Sequence, residues 1–249
     1  FNTDDGTPQG GIISPVLANM TLDGLERLIN KRYKYLHRIN GQVYWRSRVG
    51  KVTMVHLIRY ADDFIVTGVS EELLENEVKP MIEAFLTERG LVLSESKTAI
   101  TRIEDGLDFL GFNIRKYDTK LLIKPSKKSV KRMLDKVRGI TKSGCGKGGN
   151  AEALIRRLNP ILRGWANYYR HVVSKKVFAW VDFQVWKCVW NWAKRRHSNK
   201  GKRWIQKRYF VSKGNRKWLF SDTKSDKECY LFSVARMKIV RHVKIRQNA

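Results

Sequence analysis

Asp62 and Asp63 are adjacent carboxylates placed between two apolar stretches, Val52-Thr-Met-Val-His-Leu-Ile-Arg-Tyr60 and Phe64-Ile-Val66. That pattern sets two like charges at the tip of a strand pair, which costs free energy unless cations neutralise them. Hard cations such as Mg²⁺ take carboxylate oxygens and substrate phosphates as ligands. Two such ions can activate a 3′-hydroxyl and stabilise a leaving pyrophosphate in in-line phosphoryl transfer. The dipeptide by itself fits an ordinary hairpin turn equally well, since Asp is favoured in turns.

A second set of chemistry-bearing residues is cationic. Arg156, Arg163 and Arg170 recur every seven residues beside Arg157, Trp165, Tyr168 and Tyr169, a spacing that keeps the arginines near one helix face. Arginine grips phosphate through its bidentate fork, and aromatics stack on unpaired bases. The same three aromatics are equally suited to a helical core. Further along, Lys194-Arg-Arg-His197, Lys200–Arg203, Lys207-Arg208 and Arg216-Lys217 form four basic clusters. His197 is a lone histidine among them and suggests no metal.

These clusters belong to a wider asymmetry. The chain has 249 residues and a formal net charge of +27. Residues 1–125 hold 17 Lys+Arg and 17 Asp+Glu, whereas residues 126–249 hold 33 and 6. A neutral half joined to a strongly basic half predicts chemistry in one and a grip on a polyanion in the other. Nucleic acid is the expected partner, because each neutralised phosphate releases counterions. With 42% hydrophobic residues and 8 Trp, the chain is no disordered basic tail. No apolar run is long enough to span a membrane. Cys145, Cys188 and Cys229 form no CxxC pair, which fits a reducing compartment. No secretory signal is visible, so the protein is not expected to be secreted.

The elements that must position these groups follow from periodicity. Gly6-Thr-Pro-Gln-Gly-Gly-Ile-Ile-Ser-Pro15 is a turn-rich loop, and Val16–Ile29 has apolar residues near helical spacing. Val43–Trp45 and Val52–Tyr60 read as strands around Arg48–Lys51. Glu71–Arg89 reads as an amphipathic helix N-capped by Ser70, kinked at Pro80 and closed by Gly90. Leu91–Leu93 resumes a strand, and Phe109–Ile114 pairs with Lys120–Ile123. Lys127–Ile140 is a helix with a basic outer face. Thr141–Asn150 is a glycine-rich linker. Ala151–Val173 is helical with a break at Pro160, and Val177–Arg196 is an aromatic-rich helix.

In this setting Tyr60-Ala-Asp-Asp63, with the loop Gly6–Pro15 upstream, resembles the reverse transcriptases of group II introns. Leu91-Val-Leu-Ser-Glu-Ser-Lys-Thr98 and Phe109-Leu-Gly-Phe112 are similar to the next two blocks of that palm. Leu158-Asn-Pro-Ile-Leu-Arg-Gly-Trp-Ala-Asn-Tyr-Tyr169 resembles the thumb, or maturase X region. The resemblance implies an α/β fold: a partial right-hand polymerase palm (1–125), an all-helical thumb (126–196) and a small basic DNA-binding module (197–249).

It also implies roles. Asp62 and Asp63 bind catalytic Mg²⁺, two ions of which one further ligand is not among these residues. The family's additional metal-binding Asp precedes Phe1, so the chain is expected to be partial and not to polymerise alone. Pro8, Gln9, Gly10 and Tyr60 adjoin the incoming nucleotide, though Tyr60 equally suits a core position. Lys97 faces the triphosphate as a general acid for pyrophosphate. Phe109, Leu110 and Gly111 form a primer grip. Arg156, Arg157, Arg163 and Arg170 contact intron RNA, while Lys194, Arg195, Arg196, Lys202, Arg203, Lys207 and Arg208 contact DNA. Charge alone does not separate DNA from RNA for that last group.

The implied function is a group II intron reverse transcriptase and maturase. Its partners are intron RNA, target DNA and dNTPs within a ribonucleoprotein, with no membrane. It would assist splicing and copy RNA into DNA during retrohoming. An RNA-binding maturase without polymerase activity, and another bacterial reverse transcriptase, are the alternatives. No Cys/His-rich cluster suggests an endonuclease.

Overall fold

The computed structural model describes residues 13–39, 42–47, 54–142, 150–222 and 229–240. It mixes helix and sheet, as an α/β chain should, in two compact units, residues 1–100 and 101–249.

In the first unit, the expected single helix over 16–29 is two helices, α1 (Ser14–Thr21) and α2 (Leu25–Tyr33). The break falls at Gly24, whose φ of 90° is left-handed and incompatible with helix continuation. Leu25, Ile29 and Tyr33, spaced by four, form the buried face of α2. Strand pairing also differs from the expectation. β2 (Gln42–Ser47) pairs antiparallel with β1 (Lys34–Ile39), not with the chain after Lys51. The next hairpin joins β3 (His56–Tyr60) to β4 (Asp63–Thr67).

Ser70 N-caps the following helix as predicted, accepting the Leu73 N–H at 3.2 Å. α3 (Glu71–Leu73) passes through a π-helical turn, Leu74–Val78, into α4 (Lys79–Thr87). The wide turn lies just before Pro80, where a proline ring would meet the carbonyl of Asn76 in a regular α-helix. The predicted kink is therefore a π-bulge. At the far end, Gly90 (φ 69°) lets the Leu91 N–H reach the Leu86 carbonyl at 2.9 Å, a Schellman closure. Leu91–Leu93 is not a strand. Leu22, Leu25, Ile29, Val55, Val78, Ile82, Phe85 and Leu86 close this unit's core.

The second unit opens with a three-stranded antiparallel sheet, β5 (Leu107–Phe109), β6 (Phe112–Tyr117) and β7 (Lys120–Pro125). The expected strand Phe109–Ile114 is interrupted by the two-residue turn Leu110-Gly111. Both turn residues have positive φ (49° and 81°), the signature of a type I′ hairpin. Three amphipathic helices follow: α5 (Lys127–Lys142), α6 (Ala151–Tyr169) and α7 (Lys175–Arg196). Pro160 does not break α6, which runs through it. Leu154, Leu158, Leu162 and Ala166, all buried on one face, hold the helix together across the missing hydrogen bond.

Two boundaries differ from the sequence grouping. Phe112 of β6 stacks on Tyr168 and meets Tyr169 edge-on, both at 5.0 Å, so the sheet 107–125 packs with the helices that follow it. Described residues of the region expected as a separate module, 197–249, also share the helical core. α8 (Lys202–Tyr209) and the hairpin β8 (Phe210–Lys213)–β9 (Arg216–Phe220) contribute Ile205, Tyr209, Phe210 and Phe220 to it. Segment 229–240 is sewn on by side chains. The Asn159 side chain donates to the Tyr230 carbonyl and accepts the Phe232 N–H, and Asp182 accepts from Ser233 and from the Val234 N–H. No helix among the described residues is long and apolar enough to cross a membrane.

Candidate catalytic hairpin and nucleic-acid interface

In β3–β4, Tyr60 pairs with Asp63 across a two-residue turn of Ala61 and Asp62. Both aspartates are exposed at that tip, and so is Tyr60. Ala61 has a φ of 55°, a left-handed conformation costly for any residue with a Cβ. Arg59, which sequence reasoning did not single out, fastens the turn. Its Nη1 donates to the Ala61 carbonyl and to Asn19 Oδ1 of α1, both at 3.0 Å. The guanidinium thus ties the carboxylate turn to the helix that follows the Gly6–Pro15 loop. Its identity as one more arginine in an apolar strand carried no signal of this.

Two adjacent exposed carboxylates are the donor type a hard divalent cation takes, and the residues fit Mg²⁺ in that sense. Among the described residues no cluster of three or more His, Cys, Asp or Glu accompanies them. Lys97 is exposed in a turn closed by the Lys97 and Thr98 N–H groups on the Ser94 carbonyl (3.0 and 2.9 Å). Pro8, Gln9 and Gly10 lie outside the described residues.

In the second unit, Leu110 and Gly111 form the β5–β6 turn, with Phe109 and Phe112 paired across it. The Tyr168 hydroxyl donates to the Leu110 carbonyl and the Tyr169 hydroxyl to the Gly111 carbonyl, each at 2.9 Å. A carbonyl only accepts, so the single Tyr169 proton goes there and Ser129 Oγ, 2.6 Å away, donates to Tyr169 in turn. Trp165 Nε1 donates to Ser129 Oγ at 3.3 Å. A chain of three side chains from α5 and α6 therefore ends on the turn. Burial pushes the Tyr169 phenol up from its ordinary range. Tyr169 is a core residue and Trp165 packs, partly buried, against that core, as one of the two sequence readings had it, while Tyr168 is half exposed.

The basic side chains divide into two groups. Arg156, Arg157 and Arg163 are exposed on α6, and Arg170 is exposed at its C-cap. Arg156 pairs with Glu152 one turn back (2.6 Å), and Arg163 lies 5.1 Å from the Phe232 ring centre. Lys194, Lys202, Arg203 and Lys207 are exposed on α7 and α8. Three others have structural partners. Arg195 donates to the Thr141 carbonyl near the end of α5, Arg196 lies over Trp192, and Arg208 turns inward onto buried Asp222 at 3.3 Å. Asp222 also accepts the Glu152 N–H at the start of α6, a role invisible in the sequence. His197 contacts Tyr209 Oη at 2.7 Å, and burial, then Arg196, Arg208 and Lys200, hold its imidazole below the ordinary range. Burial pushes the Cys188 and Cys229 thiols up, which suits idle thiols.

Two family models match the chain. The family model for reverse transcriptase (RNA-dependent DNA polymerase) matches residues 1–114. That for the group II intron maturase-specific domain matches residues 130–210. The chain belongs to the group II intron reverse transcriptase/maturase family. Among curated relatives, the group II intron-encoded protein LtrA of Lactococcus lactis subsp. cremoris is 29% identical over 156 residues, 45% of this chain and 26% of LtrA. Protein YkfC of Escherichia coli K12 is 31% identical over 126 residues, 44% of this chain and 32% of that protein. A 91 kDa protein in the cob intron of Schizosaccharomyces pombe is 26% identical over 245 residues, 74% of this chain and 30% of that protein. The chain thus spans about a third or less of the length of these relatives. The polymerase match ends within β6, and the maturase match runs from within α5 to the start of β8.

Proposed function

We propose that the chain is the part of a group II intron reverse transcriptase/maturase that carries the carboxylate turn and an RNA-binding helical surface. The observation that carries this reading is the exposed Asp62-Asp63 pair presented on a fastened two-residue turn. Asp62 and Asp63 would hold Mg²⁺, which when bound supplies charge stabilisation for in-line phosphoryl transfer. Arg59 keeps the two carboxylates at the tip of their hairpin. Lys97 gives a proton to the departing pyrophosphate. Pro8, Gln9, Gly10 and Tyr60 flank the incoming nucleotide, and the Phe109–Gly111 turn steadies the primer strand.

The exposed arginines of α6 hold intron RNA by its phosphates, and Lys194, Lys202, Arg203 and Lys207 extend the basic surface toward target DNA. The protein assists splicing by binding the folded RNA more tightly than the unfolded form, which shifts the RNA's equilibrium by mass action. Copying of RNA into DNA at the target site then completes retrohoming within the ribonucleoprotein.

The test is primer extension on an RNA template with Mg²⁺ by the protein that carries this chain, with Asp62→Asn alongside. Extension lost in the variant, with RNA affinity retained, supports the reading. Tight RNA binding without any extension leaves a maturase that only binds, and no RNA binding at all removes both roles.

A further inference from the structure

Between α5 and α7 the second unit has a cavity of about 420 Å³ that none of the roles above uses. Its floor includes Leu134 and Val177, and one wall is Trp180, half exposed although it is a large apolar side chain. Lys127, Lys131 and Lys176 stand around it, exposed, and among the described residues none of the three is in an ion pair. Arg138 also borders the cavity, but its guanidinium is bound to Asp135 at 2.8 Å. One turn along α7 from Trp180, on the same face, Phe183 is also half exposed, with Lys187 Nζ 4.8 Å from its ring centre.

An apolar slot with a flat aromatic wall and a rim of free ammonium groups is suited to a planar apolar group that brings phosphates with it. A solvated cationic face needs no exposed indole, and an apolar protein partner would not need three lysines around it. The size suits a small-ligand site rather than a helix groove.

We propose that this cavity takes a single unpaired nucleotide, with its base against Trp180 and its flanking phosphates on Lys127, Lys131 and Lys176. The inference rests on the reading of this unit as an RNA-binding surface and adds to it a place where an extruded base is read by stacking. Phe183 offers the neighbouring base a second face. Nothing lining the cavity selects the sugar, so an unpaired nucleotide in DNA presents the same chemistry.

The experiment titrates the full chain into an RNA duplex carrying 2-aminopurine as a one-nucleotide bulge, and into the same duplex without the bulge. The wild type is expected to bind the bulged duplex more tightly and to quench its fluorescence. Trp180→Ala should weaken binding of the bulged duplex roughly tenfold and abolish the quenching, leaving the plain duplex unaffected. Unchanged plain-duplex binding also reports that the variant is folded. Trp180→Phe keeps an aromatic face and should retain most of the effect, whereas Lys131→Ala with Lys176→Ala should lower the affinity and flatten its salt dependence.

Quenching that survives Trp180→Ala, or an equal loss on both duplexes, overturns the pocket while leaving RNA binding in place. Failure of the wild type to bind either duplex overturns the RNA-binding reading itself. The same pair of duplexes made as DNA separates the two sources. Trp180-dependent quenching in either supports the pocket and identifies which strand occupies it.

Discussion

The hydroxyl of Tyr169, at the end of α6, donates to the carbonyl of Gly111, in the turn between β5 and β6, at 2.9 Å. Fifty-eight residues separate the two in sequence. A Cβ built on Gly111 would stand 2.6 Å from that same hydroxyl. The turn residue is therefore glycine for two reasons, its φ of 81° and the close approach of the tyrosine.

Gly111→Ala should be among the most destabilising single changes in the second unit, by roughly 2 kcal/mol or more, because strain and collision act together. Tyr169→Phe removes only the hydroxyl and should cost about 1 kcal/mol. Urea denaturation of both variants checks the order. Equal costs would mean that the collision is relieved by movement of the helix.

Arg208 and Asp222 form an ion pair whose side chains are 19% and 4% exposed, and Asp222 also holds the start of α6. Asp222→Ala should cost on the order of 3 kcal/mol, since it removes the carboxylate facing a largely buried guanidinium and the acceptor at the start of α6. Arg208→Ala should likewise lower the melting temperature, whereas Lys207→Ala should weaken nucleic-acid binding and leave the melting temperature unchanged. Calorimetry combined with a filter-binding assay distinguishes the neighbours.

His197 gives a pH signature. Its folded-state value lies below the ordinary one, with burial as the leading cause, so the unfolded chain binds the proton more tightly. The contribution to stability is complete above about pH 6.5 and declines as the pH falls below that value. His197→Asn should show a smaller loss of melting temperature between neutral and mildly acidic buffer than the wild type. Parallel curves for the two proteins would remove His197 as the source.

The 33 Lys+Arg against 6 Asp+Glu in residues 126–249 predict RNA affinity that falls on the order of a hundredfold or more between roughly 50 and 200 mM salt. Asp62→Asn, in the other unit, should leave both the affinity and its salt slope unchanged. Affinity that stays flat with salt would sink the electrostatic account.

Ala61→Gly tests the strained turn at the carboxylates. Glycine accepts the φ of 55° freely, so the variant should be as stable as the wild type or slightly more so, while Ala61→Val should lose about 1 kcal/mol or more. Thermal melts of the three proteins provide the comparison.

Much of this molecule is legible in its sequence because local pattern carries it. The buried faces of α5, α6 and α7 follow from apolar residues at helical spacing, and the Ser70 cap from one residue and the acids after it. The Asp62-Asp63 turn between two apolar strands and the one-sided charge are likewise properties of short windows or of simple counts. Tertiary packing decided the rest. The sheet 107–125 joined the helices because Phe112 found Tyr168 and Tyr169, and residues 197–240 joined the same core through Tyr209, Phe210 and Phe220. Pro160 stayed inside a helix because its neighbours' burial outweighed one lost hydrogen bond. Arg208 reads in the sequence like any arginine of a basic cluster, yet it faces a buried carboxylate 14 residues away. Periodicity and charge are short-range and additive, so a sequence displays them. Which donor meets which acceptor across tens of residues depends on where the packed elements come to rest, and only the folded chain holds that.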